Sequence, residues 1–149
     1  MRFTPPTADF EARGRASFAR QGVMGLIGAR LVHVAAGEVD IELPFREDLT
    51  QQHGFLHAGI VTTVVDTACG FAAFTLMPAG AAVLTIEFKV NLLSPAQGEL
   101  LIAKGRVLRA GRNVTVCQGE AWMRTAGGEK QVATMLATMM TVRDSGIEG

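Results

Sequence analysis

The stretch HGFLHAGIVTTVVDTACG, residues 53–70, carries the side chains best suited to chemistry. Its one carboxylate, Asp66, stands in an apolar run that reads as a helix from about His57 to Met77, stopping before Pro78 and Gly80. At about 100° per residue, Gly59, Thr62, Thr63, Cys69, Gly70 and Ala73 fall within about 60° of Asp66. Val61, Val64, Ala68 and Phe71 fall opposite. The acid therefore lies in a stripe of small and hydroxylic residues, and the bulky face turns toward a core. On one reading Asp66 is structural, bonded to Thr62 or Thr63 beneath another helix or subunit. On the other it ends a ligand channel, where partial burial raises its proton affinity and makes it a base or nucleophile.

The helix start adds a second element. Its first amides, near Ala58 and Gly59, lack intrahelical acceptors and lie at the positive end of the dipole, which suits an anion or a developing oxyanion. Gly59 lets another group come close. Asp66 lies more than two turns further on, roughly 10 Å at 1.5 Å per residue, so one helix spreads its start and its acid too far apart for one small reacting group. Two copies packed antiparallel bring them together.

The remaining candidates are weaker. His53 and His57 have the i, i+4 spacing of a zinc helix, but His53 precedes Gly54 in a loop and no third ligand is evident, so no metal is expected. His57 points away from Asp66, which argues against a relay between them; it braces the helix start or contacts substrate. Cys69 shares the face of Asp66 without a histidine to activate it. With Cys117 it has no CxxC spacing, so both read as small buried residues.

These groups need elements to hold them. PPTADFEARGRASFARQG reads as a loop and a short helix, capped by Thr7 or Asp9, with Phe10 and Phe18 inward. LIGARLVHVAAG turns near Gly37 into GEVDIELPF, where Val39, Ile41 and Leu43 alternate with Asp40 and Glu42. After the long helix come AAVLTIEFKVNLLS, GELLIAKGRVLRA, NVTVCQGEAWMRT and QVATMLATMMTV. The first of these places Leu84, Ile86, Phe88, Val90 and Leu92 on one side, and Thr85 with Glu87, Lys89 and Asn91 on the other. The short links SPAQG, AGR and AGGE favour an antiparallel meander. The expected fold is α+β, one sheet of about six strands with one buried helix against it.

The bulk properties agree. A chain of 149 residues fits one domain, and 14 Lys plus Arg balance 14 Asp plus Glu, which leaves no basic field for nucleic acid or an anionic membrane. Zero formal charge with a positive mean hydropathy of +0.26 suggests apolar surface hidden in an oligomer. MRFTPPTADFEARGR lacks an apolar signal core and no apolar run reaches a membrane span, so a cytoplasmic protein is expected.

QQHGFLHAGIVTTVVDTACG, residues 51–70, resembles the signature of hotdog-fold acyl-CoA thioesterases of the phenylacetate-degradation type: Asn-x5-His-Gly-Gly, then a helix with Asp nine residues after the His. The following LTIEFKVNLLSPAQGELLIAKGRVLRAGRNVTVCQGEAW resembles the family's next three strands, so the likeness covers about residues 20–142 of one domain. It implies a six-stranded antiparallel sheet wrapped around the long helix, homodimers that pair into tetramers, and thioester hydrolysis at the dimer interface, with no cofactor beyond the coenzyme A of the substrate. By position, Asp66 activates water or attacks the carbonyl, the Ala58 amide of the opposite subunit polarises the thioester oxygen, Thr85 positions the water, and Gln51 orients the reactants. Gly59 and His57 would line the substrate. Coenzyme A carries phosphates, for which Arg109, Arg112 and Asn113 are the first candidates and Lys104 and Arg106 the next. Ala58 and Gln51 depart from the Gly and Asn of the signature, and neither change removes a functional group from the proposed chemistry. The rivals are a hotdog hydratase or dehydratase, which needs an Asp and a His converging, and a non-catalytic acyl-CoA-binding protein.

Overall fold

The computed structural model describes residues 2–149. In chain order it has α1 (Phe10–Ala19), α2 (Gly22–Ile27), β1 (Arg30–Ala35), β2 (Glu38–Pro44), a single 3-10 turn (Glu47–Leu49), α3 (Ala58–Phe74), β3 (Ala82–Leu92), β4 (Leu100–Ala110), β5 (Val114–Thr125) and β6 (Gly128–Val142). All the strands join one sheet in the order β1-β2-β4-β5-β6-β3, and every pairing is antiparallel.

Burying α3 organises the rest. Val61, Val64, Val65, Ala68 and Ala72 are sealed against Val39, Ile41 and Leu43 of β2, Leu101 and Ala103 of β4, and Met135 and Met139 of β6. Each large side chain taken fully out of water contributes about 1.5–3 kcal/mol. The helix lies very close to the sheet because two glycines, Gly105 and Gly119, stand opposite each other on β4 and β5. A Cβ on Gly105 would sit 2.3 Å from the Ala68 carbonyl oxygen, and one on Gly119 2.5 Å from Val65 Cγ1.

Several expectations are corrected. The long helix ends at Phe74 rather than Met77, because the chain turns through Thr75–Met77 before Pro78. Asp9 stands at the start of α1 but makes no side-chain cap. α2 was not foreseen, since GVMGLI holds two glycines in six residues and shows no helical period. Only β4, β5 and β6 form a meander: β3 pairs with β6 instead of β4, so its link crosses the ends of two strands. That is within reach of an extended chain at about 3.3 Å per residue.

The phase of β3 also differs. A bulge at Ile86 interrupts the register between Thr85 and Glu87. On one side of it Thr85 faces Met139; on the other Phe88, Val90 and Leu92 face Ala137, Met135 and Ala133, all on the helix side of the sheet. Leu84, Glu87, Lys89 and Asn91 take the outer side. Perfect alternation would have put Thr85 with Glu87, and the extra residue turns it inward instead. No helix among the described residues is long and apolar enough to cross a membrane.

Candidate active site

The helix start is held by a tight loop. Thr50 bridges to Leu56, the Gln51 N–H donates to the Phe55 carbonyl, and Gly54 takes a left-handed φ of 84° that favours glycine. The Leu56 N–H donates to Ala96 and the His57 N–H to Leu49, which fixes the entry into α3. His57 is the N-cap: its Nδ1 accepts from the Gly59 N–H at 2.8 Å, and its carbonyl takes the Ile60 and Val61 N–H groups. The Nδ1 of the imidazole is thus spent on its own helix. Of the first four amides, the exposed Ala58 N–H alone has no acceptor among the described residues. Gln51 Oε1 accepts from the His53 N–H at 2.5 Å, which leaves its NH2 as a donor.

Gln51, His57 and Ala58 line a cleft of about 540 Å³ with Phe55, Leu56, Val61, Leu92, Leu93, Ser94, Pro95, Ala96 and Val132. That size is usual for a small-molecule site. The carboxylate is elsewhere. Asp66 lies in a separate recess of about 90 Å³ with Gln21, Thr67, Gly70, Phe71, Val83 and Thr85. Eight residues at 1.5 Å each put it about 12 Å along α3 from Ala58. The larger cavity holds the free amide and no acid, and the smaller holds the acid without that amide.

Asp66 is half-buried and bonded across elements: the Thr85 hydroxyl donates to its Oδ1 at 2.9 Å. Burial raises its proton affinity above the ordinary carboxylate value, and the Thr85 bond partly offsets this. Thr62 and Thr63 are not its partners. Their hydroxyls donate to the Ala58 and Gly59 carbonyls one turn back, at 2.8 and 2.7 Å. The stripe around Asp66 is also narrower than its angles imply, because Cys69 and Ala73 are fully buried on the sheet side.

The other candidates sort by geometry. Burial pushes the Cys117 thiol up to about 12 and the Cys69 thiol well above its usual range, so both stay protonated. Among the described residues no cluster of His, Cys, Asp or Glu could hold a metal ion. Arg109, Arg112 and Asn113 line neither cavity, and Asn113 Oδ1 accepts from Arg143. Arg106 is occupied by Asp40 at 2.7 Å, and Lys104 lies over the Trp122 ring. Gln21 and Val83 were not singled out as site residues. They come from distant parts of the chain, and no local pattern marks them.

The free amide, the sheltered acid and the strand that bonds it lie within residues 53–142, which match the profile of the Thioesterase superfamily. The solved structure of a thioesterase family protein from Silicibacter pomeroyi is 50% identical, covers 90% of this chain and 98% of that one, and superposes with a TM-score of 0.89. A Halobacterium salinarum protein whose name proposes an esterase is 35% identical over 102 residues, 65% of this chain and 67% of that protein. Human acyl-coenzyme A thioesterase 13 is 31% identical over 85 residues, 56% of this chain and 60% of that protein. With a profile matched over more than half its length, a sheet curled around one helix and a relative so alike along nearly all of the chain, the protein belongs to the thioesterase superfamily, in the hotdog fold.

Proposed function

We propose that the protein hydrolyses acyl-CoA thioesters to a carboxylic acid and free coenzyme A, at a site shared by two copies of the chain. The observation that carries this reading is the split along α3: a sheltered, Thr85-bonded carboxylate in one cavity and an unbonded helix-start amide in another. A thioester needs both within one carbonyl's width. In an antiparallel pair, the Asp66 of one copy meets the Ala58 amide of the other.

Water attacks the carbonyl carbon while Asp66, its second oxygen free of Thr85, takes the proton. The negative charge that develops on the carbonyl oxygen is met by the Ala58 N–H and the positive end of α3. The C–S bond then breaks, and the coenzyme A thiolate leaves and takes up the proton. Gln51 offers its NH2 to the reactants, and His57 forms the wall beside them, its ring held by the N–H of Gly59, which itself lines neither cavity. If Asp66 instead attacks directly, the C–S bond breaks as a mixed anhydride forms and the thiolate leaves; in a single turnover in labelled water, attack of water on the aspartyl carbon then puts the label in Asp66. The phosphates of coenzyme A lie a pantetheine arm from the thioester, so their grip belongs outside both cavities, where Arg109, Arg112 and Asn113 stand.

The human relative named an acyl-coenzyme A thioesterase supports the coenzyme A ester as substrate. The spacing from His57 to Asp66 supports the phenylacetate-degradation type within the superfamily. Thiol release from a panel of acyl-CoA esters tests the activity. Asp66→Asn is expected to slow turnover by about 10²–10⁴-fold while the fold is kept. Turnover near the wild-type rate in that variant would remove Asp66 from the reaction.

A further inference from the structure

We infer that the recess beside Asp66 receives the acyl group, and that Gly70 and Gln21 set how large a group it accepts. This deepens the proposed function and rests on it. The carbonyl must lie between the acid and the helix-start amide, and the acyl group and the pantetheine arm leave different sides of its planar carbon. The larger cleft, edged by Gln51 and Ser94, suits the arm, whose amides need partners. The small recess, walled by Phe71 and Val83, suits a compact apolar group.

Gly70 points to this use. A glycine inside a helix is unfavourable relative to alanine, and a close neighbour normally explains it. The strand glycines Gly105 and Gly119 do have such a neighbour, since a Cβ on either would strike α3. Gly70 has none: like Gly14 of α1 and Gly25 of α2 its Cβ would meet nothing within 4 Å, but unlike them it stands in the wall of the recess, one turn beyond Asp66. The space a side chain would fill there opens into the recess beside the acid. Gln21 closes the far side from the α1–α2 junction, held there by the edge-to-face packing of Phe18 on Phe71 at 5.7 Å. Its carboxamide has no hydrogen-bond partner among the described residues, so shortening it breaks nothing in the chain.

The two positions make opposite predictions. kcat/KM is measured for the wild type, Gly70→Val and Gln21→Ala over straight-chain acyl-CoA esters from acetyl to decanoyl, with benzoyl- and phenylacetyl-CoA. In Gly70→Val the preference for the wild-type optimum over acetyl-CoA is expected to fall at least about tenfold, as added methyl groups in a fitted pocket do. In Gln21→Ala the optimum is expected to move to longer chains. An optimum that stays put in both variants, in an enzyme that does hydrolyse these esters, would overturn the inference and leave the proposed function standing. A change in assembly mass in Gly70→Val would assign the space to a neighbouring chain and also overturn it. A wild type inert on the whole panel would sink the proposed function, and this inference with it.

Discussion

Asp66 sits where two influences on its proton affinity oppose each other. Partial burial makes the charge costly and raises the value, while the Thr85 hydroxyl stabilises the charged form and lowers it. The net direction is upward. As a base Asp66 must be ionised, so activity should fall as pH drops, along a limb set higher than an ordinary aspartate would give. Thr85→Val removes the lowering influence. Its acid limb is expected to move to still higher pH in a kcat/KM profile, with the greatest loss in acid buffer. A limb that stays in place would show that the hydroxyl does not tune the acid. The sequence alone made Asp66 and the helix start visible, because a lone carboxylate in an apolar helix and a run of unsatisfied amides are local features. The partner of Asp66 was not visible in that way. Nineteen residues separate Thr85 from it, and simple alternation turned Thr85 outward.

The elements show why. Burial on β2 follows its alternation, and the helix packs with the bulky face found from its angles, because both patterns depend on regular geometry. β3 departs at Ile86, one extra residue that reverses the face of everything before it. No residue type there announces a bulge. The order of strands was equally hidden, since link length says nothing about which neighbour a strand takes once the sheet curls. Gly105 and Gly119 are the price of that curl, as they bring α3 down onto the sheet. Gly105→Ala would force a Cβ against the backbone of Ala68 and Cys69. It is expected to cost at least about 2 kcal/mol, because backbone cannot give way as a side chain does. The denaturation midpoint should fall with the slope unchanged. A midpoint equal to wild type would mean that the helix has room to move.

At the scale of the molecule, β3 is the edge that asks for a partner. Leu84, Ile86, Phe88 and Leu92 are 51%, 53%, 44% and 52% exposed along it, a long apolar rim of the kind soluble chains normally cover. In the dimer proposed above, a second copy pairs along β3 and covers this rim. Phe88→Asp, on a side chain already half in water, is expected to fold, to run as a monomer by light scattering, and to lose turnover. The shared site can be tested more directly. Ala58→Pro deletes only the amide N–H, since proline is favoured at the first helical position and His57 already has the extended backbone (φ −57°, ψ 137°) that must precede it. Each of Ala58→Pro and Asp66→Asn should be nearly inactive by itself. Unfolded together in equal amounts and refolded as mixed dimers, half the pairs would carry one intact site, and activity should return to about a quarter of wild type. A mixture no more active than its better parent would contradict a site built from two chains.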